Sequence, residues 1–424
     1  MASMLRPRQA VLACAAAAAL AAGCGDSGST PSLTFSGSAL GPEAEVVKRQ
    51  LTRFAAQHPG IDVSLRVTPD AADQRHQLYV QWLNARAPEP DVLQLDIVWT
   101  AEFAGAGWIR PLEEHDADFV AAAWHAARWR DTLFALPWFV DVGLLYWRTD
   151  LVKSAPRSIA ELRDDAVRAA SGPTRFGLVW QGARYEGLVT VFLEHLAAFG
   201  GQILDAGGRV AVDEPAAIEA LTFMRDALGD GGFVPPSVLA WQEEQTRFAF
   251  QNGDAVFMRN WPYAWALLQD GAQSAVAGRF AVAPFPATAN GRPAAALGGA
   301  ELAVNRWSRH PDLAEALARF LTAPEQMLER ARIAAQLPAR RSLYDHPALA
   351  DALPIPLEQV RAALDAAVSR PVTPVYTELS EILQVELHRA LSGQSTPEAA
   401  LLRAAAGMRT LLARSGLADE GLPR

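Results

Sequence analysis

Cysteine and lysine are both rare in this chain. Among its 424 residues there are only two cysteines, Cys14 and Cys24, and two lysines, Lys48 and Lys153, so arginine supplies nearly all the basic side chains. Two cysteines are too few for a small fold that depends on disulfide bonds. The formal charge of -9 gives no overall attraction to phosphate backbones, and we therefore expect no nucleic-acid partner.

The sequence also lacks the short motifs of common enzyme classes. It has no Walker A loop, no dinucleotide-binding glycine motif after a strand, no GxSxG elbow and no HExxH zinc motif. The eight histidines are scattered, and no set of cysteine and histidine has the spacing of metal ligands. These absences predict a protein that is not an enzyme and that uses no metal and no cofactor.

The N-terminal segment predicts export. Two arginines precede the apolar run Ala10–Ala22, which is too short and too rich in alanine for a stable membrane span, so residues 1–23 are predicted to be a signal peptide. The stretch from Leu20 to Cys24 resembles a bacterial lipobox, whose cysteine is lipidated and becomes the N-terminus after cleavage. Residues 24–32 would then tether the protein to a membrane. The alternative is an ordinary signal peptide with a cysteine after the cleavage site.

Strand and helix patterns alternate after the tether. Period-two or short apolar segments predict strands at 33–36, 61–67 and 91–96, with amphipathic helical segments between them. This β-α-β-α-β order is typical of a parallel sheet covered by helices, whose ligands bind at the carboxyl ends of the strands. Asp96 lies at such an end, and it is therefore a candidate for ligand binding.

A long apolar run in the middle of the chain predicts a passage between two lobes. Residues 133–147 are extended and apolar but are interrupted by Pro137 and Asp141. We therefore predict an α/β protein of two lobes, each a mostly parallel sheet flanked by helices, joined by a hinge. The predicted N-terminal lobe is 33–138 with 302–354, and the predicted C-terminal lobe is 139–301 with 355–424.

Aromatic residues cluster near polar ones in three parts of the sequence. The aromatic residues are Trp138, Phe139, Trp180, Tyr185, Trp261, Tyr263 and Trp265, and the polar ones are Asp141, Glu186, Arg259 and Asn260. Sugars need this combination, because their hydroxyls form paired hydrogen bonds while their C–H faces pack on aromatic rings. For any single tryptophan, burial in the core is the simpler interpretation.

A series of short motifs runs through the mature chain. The motifs are Pro90-Asp-Val92, Ala135-Leu-Pro137, Tyr185-Glu-Gly-Leu188, Asn260-Trp-Pro-Tyr-Ala-Trp265, Leu297-Gly-Gly299 and Arg370-Pro-Val-Thr-Pro374. Together they resemble the trehalose/maltose-binding lipoproteins of ABC importers, which are extracellular solute-binding proteins. The resemblance implies a two-lobed periplasmic binding protein fold of type II that closes around its ligand and performs no chemistry on it.

The resemblance also implies which residues contact the sugar. By position these are Glu43, Arg75, Asp96, Phe139, Asp141, Trp261, Gly299 and Arg370, and the aromatic pattern adds Tyr185. The carboxylates of Glu43 and Asp96 would accept hydrogen bonds from sugar hydroxyls. The guanidinium groups of Arg75 and Arg370 would donate hydrogen bonds, and Trp261 would stack on a glucose ring.

Two positions depart from the pattern of that family. Phe139 replaces a tyrosine and so removes one hydroxyl, and Ala300 replaces a tryptophan beside the second glycine of its motif. The expected ligand is an α-glucoside disaccharide such as trehalose or maltose, delivered to the permease subunits of an ABC importer. We expect a monomer held in the periplasm or at the cell surface by lipid on Cys24. The alternatives are an exported glycosidase, or a lipoprotein that binds another oligosaccharide or a sugar alcohol.

Overall fold

The computed structural model describes residues 31–39, 41–115, 117–170 and 174–417. The predicted signal peptide and Cys24 lie outside these ranges. Among the described residues, no helix has both the length and the hydrophobicity needed to cross a membrane.

The described residues form strands and helices that alternate along most of the chain. The strands are β1 Ser32–Gly37, β2 Asp62–Val67, β3 Val92–Asp96, β4 Arg128–Trp129, β5 Thr132–Leu133, β6 Ala135–Val142, β7 Leu144–Arg148, β8 Phe176–Val179, β9 Ala255–Asn260, β10 Phe280–Ala283, β11 Ala295–Val304, β12 Leu337–Pro338 and β13 Ala367–Val368. The α-helices are α1 Glu43–Gln57, α2 Ala72–Asn84, α3 Thr100–Gly105, α4 Ala121–Ala126, α5 Ile159–Ala170, α6 Glu186–Ala198, α7 Pro215–Leu228, α8 Glu243–Gln251, α9 Ala264–Leu268, α10 Pro311–Leu321, α11 Pro324–Ala334, α12 Pro347–Ala352, α13 Leu357–Asp365, α14 Tyr376–Leu391 and α15 Pro397–Arg414.

The first lobe is built on a sheet with the strand order β12-β6-β11-β3-β1-β2, and β13 pairs with the far end of β11. Strand β1 runs parallel to β2 and β3, so the predicted β-α-β-α-β unit is present. Helix α1 follows Pro42 and buries Val47, Leu51 and Phe54 on one face, as the helical spacing of these apolar residues predicts. That packing fixes the first turn of α1, which carries Glu43, over the end of the sheet.

The second lobe is built on a smaller sheet with the order β10-β7-β9-β8. Helix α6 packs beside this lobe and is apolar on nearly all sides, so every one of its residues is buried. Helices α14 and α7 pack against α6, and α15 packs against both of them and completes the lobe. The amino end of α6, which carries Glu186, points into the space between the lobes.

Two long strands connect the lobes. Strand β6 leads into β7 of the second sheet through Gly143, and β11 returns to the first sheet after β10. The predicted two-lobed α/β fold is confirmed, but the sheets are mixed and not mostly parallel. The reason is that β6 leaves the first lobe and β11 re-enters it, so the two strands pair antiparallel. The predicted lobe boundaries 138/139 and 301/302 fall within β6 and β11, and the third, 354/355, falls between α12 and α13. All three stay predictions.

Candidate functional site

A cavity lies between the two lobes. Its empty space, which includes some open solvent, is about 870 Å³. All nine residues predicted to contact a ligand line it, namely Glu43, Arg75, Asp96, Phe139, Asp141, Tyr185, Trp261, Gly299 and Arg370. The structure therefore brings together residues that are up to 327 positions apart in the sequence. Their contact with a ligand stays a prediction.

Glu43 lies in the first lobe within a buried polar network. Its carboxylate accepts hydrogen bonds from the amide of Gln336 at 2.9 Å and from the hydroxyl of Ser38. Arg330 of α11 lies 3.4 Å from the same carboxylate and also donates to the side-chain oxygen of Gln336. Burial lowers the pKa of Arg330 to about 10, and Glu43 opposes this shift, so the guanidinium remains charged at neutral pH.

Arg370 joins the two sides of the cavity. One of its terminal nitrogens lies 2.7 Å from Asp96 at the end of β3, and the other lies 2.7 Å from Glu186 at the start of α6. Burial alone would lower the pKa of Arg370, but the Asp96 carboxylate and other neighbours raise it above its ordinary value. Burial raises the pKa of Glu186, while Arg370 and the hydroxyl of Tyr376 act against that shift. Arg370 is thus a fixed cation between two acceptors.

Arg75 is held mainly by the backbone of its own lobe. Its Nη1 donates to the carbonyl oxygens of Pro69 and Asp70 at 3.0 and 3.2 Å, and its guanidinium carbon lies 5.3 Å from the centre of the Trp99 ring. Its Nε is buried without a hydrogen-bond partner among the described residues. Arg75 therefore retains hydrogen-bonding capacity on the cavity wall.

The crossing strands form the back of the cavity. In their register Ala300 of β11 lies between Phe139 of β6 and Asp96 of β3. Gly299 has a φ of +125°, and a Cβ there would collide with the carbonyl oxygen of Phe139. Only glycine suits this backbone conformation, so Gly299 shapes the wall through its main chain. Ala300 lines the same wall with a small side chain.

Asp141 is the carboxylate with the most unusual environment in the cavity. Within the described ranges, no hydrogen bond joins its side chain to another residue, although it lines the cavity. Burial, followed by repulsion from Glu43, raises its pKa well above the usual value, and Arg330 counteracts this only in part. The side chain of Asp141 is therefore available to a hydroxyl group of a ligand.

Trp261 is fixed by charged groups of the second lobe. The guanidinium carbon of Arg259 lies 3.9 Å from the centre of its ring, and Arg259 is itself paired with Glu194 at 2.8 Å. The indole nitrogen of Trp261 donates to Glu243 at 3.4 Å. A ring held in this way is a preorganised surface for the apolar face of a sugar.

Tyr185 and Tyr263 complete the aromatic lining on this side. Burial raises the pKa of Tyr185 well above its ordinary value, and the nearby Glu243 carboxylate adds to the effect. Tyr263 donates its hydroxyl to Glu244 at 2.7 Å. Both phenols therefore stay protonated at neutral pH.

The aromatic residues noted in the sequence divide between core and cavity. Trp138 and Trp180 are completely buried in the core, and Trp265 packs against Phe280, so none of these three lines the cavity. Sequence reasoning also missed several polar residues of the cavity wall, which are Ser38, Gln94, Glu243 and Gln336. Single serine and glutamine residues carry no pattern that distinguishes them from surface residues. In the part of the chain that the structure describes, no group of three or more histidine, cysteine, aspartate or glutamate residues could hold a metal ion.

Comparisons with known proteins extend this description. The sequence model of the family described as bacterial extracellular solute-binding protein matches residues 40–328. The "Probable ABC transporter-binding protein" of Deinococcus radiodurans is 34% identical over 387 residues, which cover 87% of this chain and 91% of that protein.

Solved structures give a similar result. The structure of T. maritima MalE3 with bound maltose is 39% identical with a TM-score of 0.85, covering 90% of this chain and 100% of that chain. A solute-binding protein of an ABC transporter from Thermotoga lettingae, bound with α-D-tagatose, is 25% identical with a TM-score of 0.81 and the same coverage.

Proposed function

Because the chain belongs to the bacterial extracellular solute-binding protein family, we propose that it is the sugar-binding component of an ABC importer. Its ligand in this proposal is an α-glucoside disaccharide such as trehalose or maltose, which it delivers to membrane permease subunits. The similarity to a maltose-bound protein over 90% of the chain supports a sugar of this kind.

The observation that carries the proposal is the composition of the cavity between the lobes. Carboxylates that can accept hydrogen bonds from hydroxyls line it together with the guanidinium groups of Arg75 and Arg370. Trp261 adds a fixed aromatic surface. Charge-assisted hydrogen bonds and a flat apolar ring are the two types of contact that a pyranose requires.

The fold suits ligand capture by closure of the two lobes. Contacts such as Asp96 with Arg370 join groups from opposite sides of the cavity. A sugar held between the lobes would add further contacts of this type, and it would thereby favour the closed arrangement over an open one. The strands β6 and β11 would serve as the hinge.

A thermal-shift series followed by calorimetry tests the proposed ligand. We expect trehalose or maltose to raise the melting temperature of residues 25–424, because a ligand that binds only the folded state stabilises it by mass action. Mannitol, glycine betaine and leucine serve as controls of other ligand classes. A shift with one of these controls and none with either disaccharide would contradict the proposal.

The same samples test the glycosidase alternative. If the protein only binds the sugar, long incubation with trehalose or maltose should release no glucose above a blank without protein. Glucose released in proportion to protein concentration would indicate hydrolysis by paired carboxylates and would favour an enzyme.

Membrane attachment through Cys24 is a separate part of the proposal. Cys24 lies outside the described residues, and the support for a lipid there is the lipobox-like stretch that precedes it. Wild-type protein labelled in cells with a palmitate analogue should carry lipid, and the Cys24→Ala variant should carry none. Absence of label on the wild-type protein would contradict the anchor without affecting the sugar-binding proposal.

A further inference from the structure

The cavity between the lobes contains more acidic than basic side chains. Two guanidinium groups line it, those of Arg75 and Arg370. Six carboxylates also line it, and these belong to Glu43, Asp70, Asp96, Asp141, Glu186 and Glu243. A neutral sugar forms hydrogen bonds with such groups but leaves their excess negative charge uncompensated. A ligand with a positive charge would compensate part of it.

Four of the six carboxylates need no charged ligand. Three form ion pairs within the protein, namely Asp96 and Glu186 with Arg370, and Glu43 with Arg330. Asp70 is exposed, so water screens its charge. The uncompensated charge of the cavity is therefore concentrated on Asp141 and Glu243.

The surroundings of Asp141 and Glu243 disfavour their negative charges. Arg259 attracts both carboxylates, but it pairs with Glu194 at 2.8 Å. Burial raises the pKa of both side chains, and repulsion from Glu43 adds to the shift at Asp141. An ammonium group beside either carboxylate would favour its charged form, and it would donate a charge-assisted hydrogen bond to it.

Asp141 and Glu243 lie at two different sides of the Trp261 ring. Gly298 of β11 marks the first side, since a Cβ built there would lie 3.2 Å from the benzene part of the indole and 3.5 Å from the Cβ of Asp141. On the pyrrole side, the indole nitrogen donates to Glu243 at 3.4 Å. A sugar ring that packs on Trp261 would therefore have a carboxylate near each side, and the position of an amine on that ring would decide which carboxylate it meets.

We propose that the cavity binds an α-glucoside disaccharide in which an amino group replaces one hydroxyl, and that Asp141 and Glu243 select its ammonium form. This inference rests on the proposed sugar-binding function and narrows the ligand to a cationic amino sugar. The remaining hydroxyls keep the contacts described for the neutral disaccharide. The ammonium group pairs with a carboxylate in a partly buried place, and this contact is stronger than the hydrogen bond of the hydroxyl that it replaces.

Calorimetric titration with neutral and amino disaccharides at neutral pH tests this proposal. The ligands are trehalose, maltose and the derivatives of each in which an amine replaces one of the free hydroxyls other than the anomeric one. At least one derivative should bind wild-type protein about tenfold more tightly than its neutral parent, because a charge-assisted hydrogen bond replaces a neutral one. Derivatives whose amines lie away from Asp141 and Glu243 should gain less.

Two conservative variants show which carboxylate selects the amine. Asp141→Asn and Glu243→Gln keep the shape of the side chain and remove its charge. At least one of them should reduce the advantage of the amino derivative over its parent to less than about threefold. Asp62→Asn is the matched control, because it removes an exposed carboxylate at the start of β2, and it should keep the full advantage. Each comparison is a ratio of two affinities within one variant, so a general loss of affinity does not affect it.

The outcomes separate this proposal from the proposed function. If a neutral disaccharide binds and no amino derivative binds more tightly than its parent, the amino-sugar proposal is overturned and the proposed function stands. An advantage that persists in both Asp141→Asn and Glu243→Gln would show that these carboxylates do not select the amine, which also overturns the proposal. If no disaccharide binds, neutral or amino, the proposed function is wrong and the amino-sugar proposal is wrong with it.

Discussion

Each lobe places a buried arginine and glutamate pair behind an aromatic surface. In the first lobe Arg330 pairs with Glu43 and lies 3.6 Å from the centre of the Trp138 ring, next to Phe139. In the second lobe Arg259 pairs with Glu194 and lies under Trp261.

The two pairs differ in how completely they are satisfied. Arg259 donates to both oxygens of Glu194 and to Gln181, and Glu194 also accepts the N–H of Ala296. By contrast, two nitrogens of Arg330 have no hydrogen-bond partner among the described residues, and Glu43 lines the cavity. The comparison teaches that an arginine and glutamate pair stabilises the fold when all its hydrogen bonds are made within the protein. A pair with unused hydrogen-bonding groups beside a cavity is available to a ligand.

The largest expected effect is the loss of stability when the saturated pair is broken. Glu194→Gln leaves Arg259 as an uncompensated buried charge, which should lower the free energy of unfolding by about 3 to 5 kcal/mol. Urea unfolding of wild type and variant gives this difference. Glu43→Gln should cost less, because Arg330 keeps its hydrogen bond to Gln336 and its attraction to Asp141. Equal losses for the two variants would contradict the contrast between the pairs.

The free energy of unfolding should also depend on pH through His195, which is buried near Arg259. Burial lowers its pKa from 6.5 to about 4, so the unfolded chain binds the proton more readily than the folded protein. The contribution of His195 to stability is complete above pH 6.5 and is lost as the pH falls toward 4, with a total of about 3 kcal/mol.

The measurement compares wild type with His195→Leu across this pH range. The difference in the free energy of unfolding between the two proteins should shift in favour of the variant as the pH falls from 6.5 to 4. Above pH 6.5 the difference should not change with pH, which provides an internal control. A difference that is constant with pH would show that His195 does not titrate as described.

The incomplete pair should affect ligand affinity. Glu43→Gln removes a charged acceptor for a sugar hydroxyl, which should weaken disaccharide binding by about 1.5 to 3 kcal/mol, or roughly tenfold to a hundredfold. Calorimetry with trehalose or maltose measures this loss of affinity. Glu45→Gln, an exposed position in the same helical turn, should leave affinity unchanged. Unchanged affinity in Glu43→Gln as well would remove Glu43 from the site.

The smallest expected effect concerns selectivity at the back of the cavity. Ala300→Trp places a ring beside Phe139 and Asp96, and stacking on a sugar should add about 0.5 to 1.5 kcal/mol for a disaccharide. Longer ligands should lose affinity, because the added ring fills space. Titration with trehalose, maltose and maltotriose tests this, and the same ranking in both proteins would show that Ala300 does not influence selectivity.

Local patterns in the sequence were sufficient for the first part of the fold. The alternation around β2 and the helical spacing of Val47, Leu51 and Phe54 depend on neighbouring residues alone, so the β-α-β-α-β unit could be predicted. The position of β11 between β6 and β3 depends on contacts between residues far apart in the sequence. No local pattern records such contacts, and the mixed character of the sheets was therefore missed.

Residues that line the cavity could be predicted where a sequence motif contained them, and the others were missed. Side chains alternate along β6, so Trp138 enters the core while Phe139 faces the cavity, but the sequence does not indicate which face is which. Arg330 lies 287 residues from Glu43 and has no motif of its own. Its partnership with Glu43 emerges only when α11 packs beside α1.

The place of β11 in the first sheet also has a consequence for how the chain folds. This central strand is supplied by residues 295–304, whereas its neighbours β3 and β6 end at Asp96 and Val142. The sheet of the first lobe cannot be completed until β11 reaches both β3 and β6 across the long segments that separate them in the sequence. Bringing such distant segments together costs conformational entropy and is slow. A fragment that ends at residue 170 should therefore remain without cooperative unfolding, and the two lobes should form as one kinetic unit.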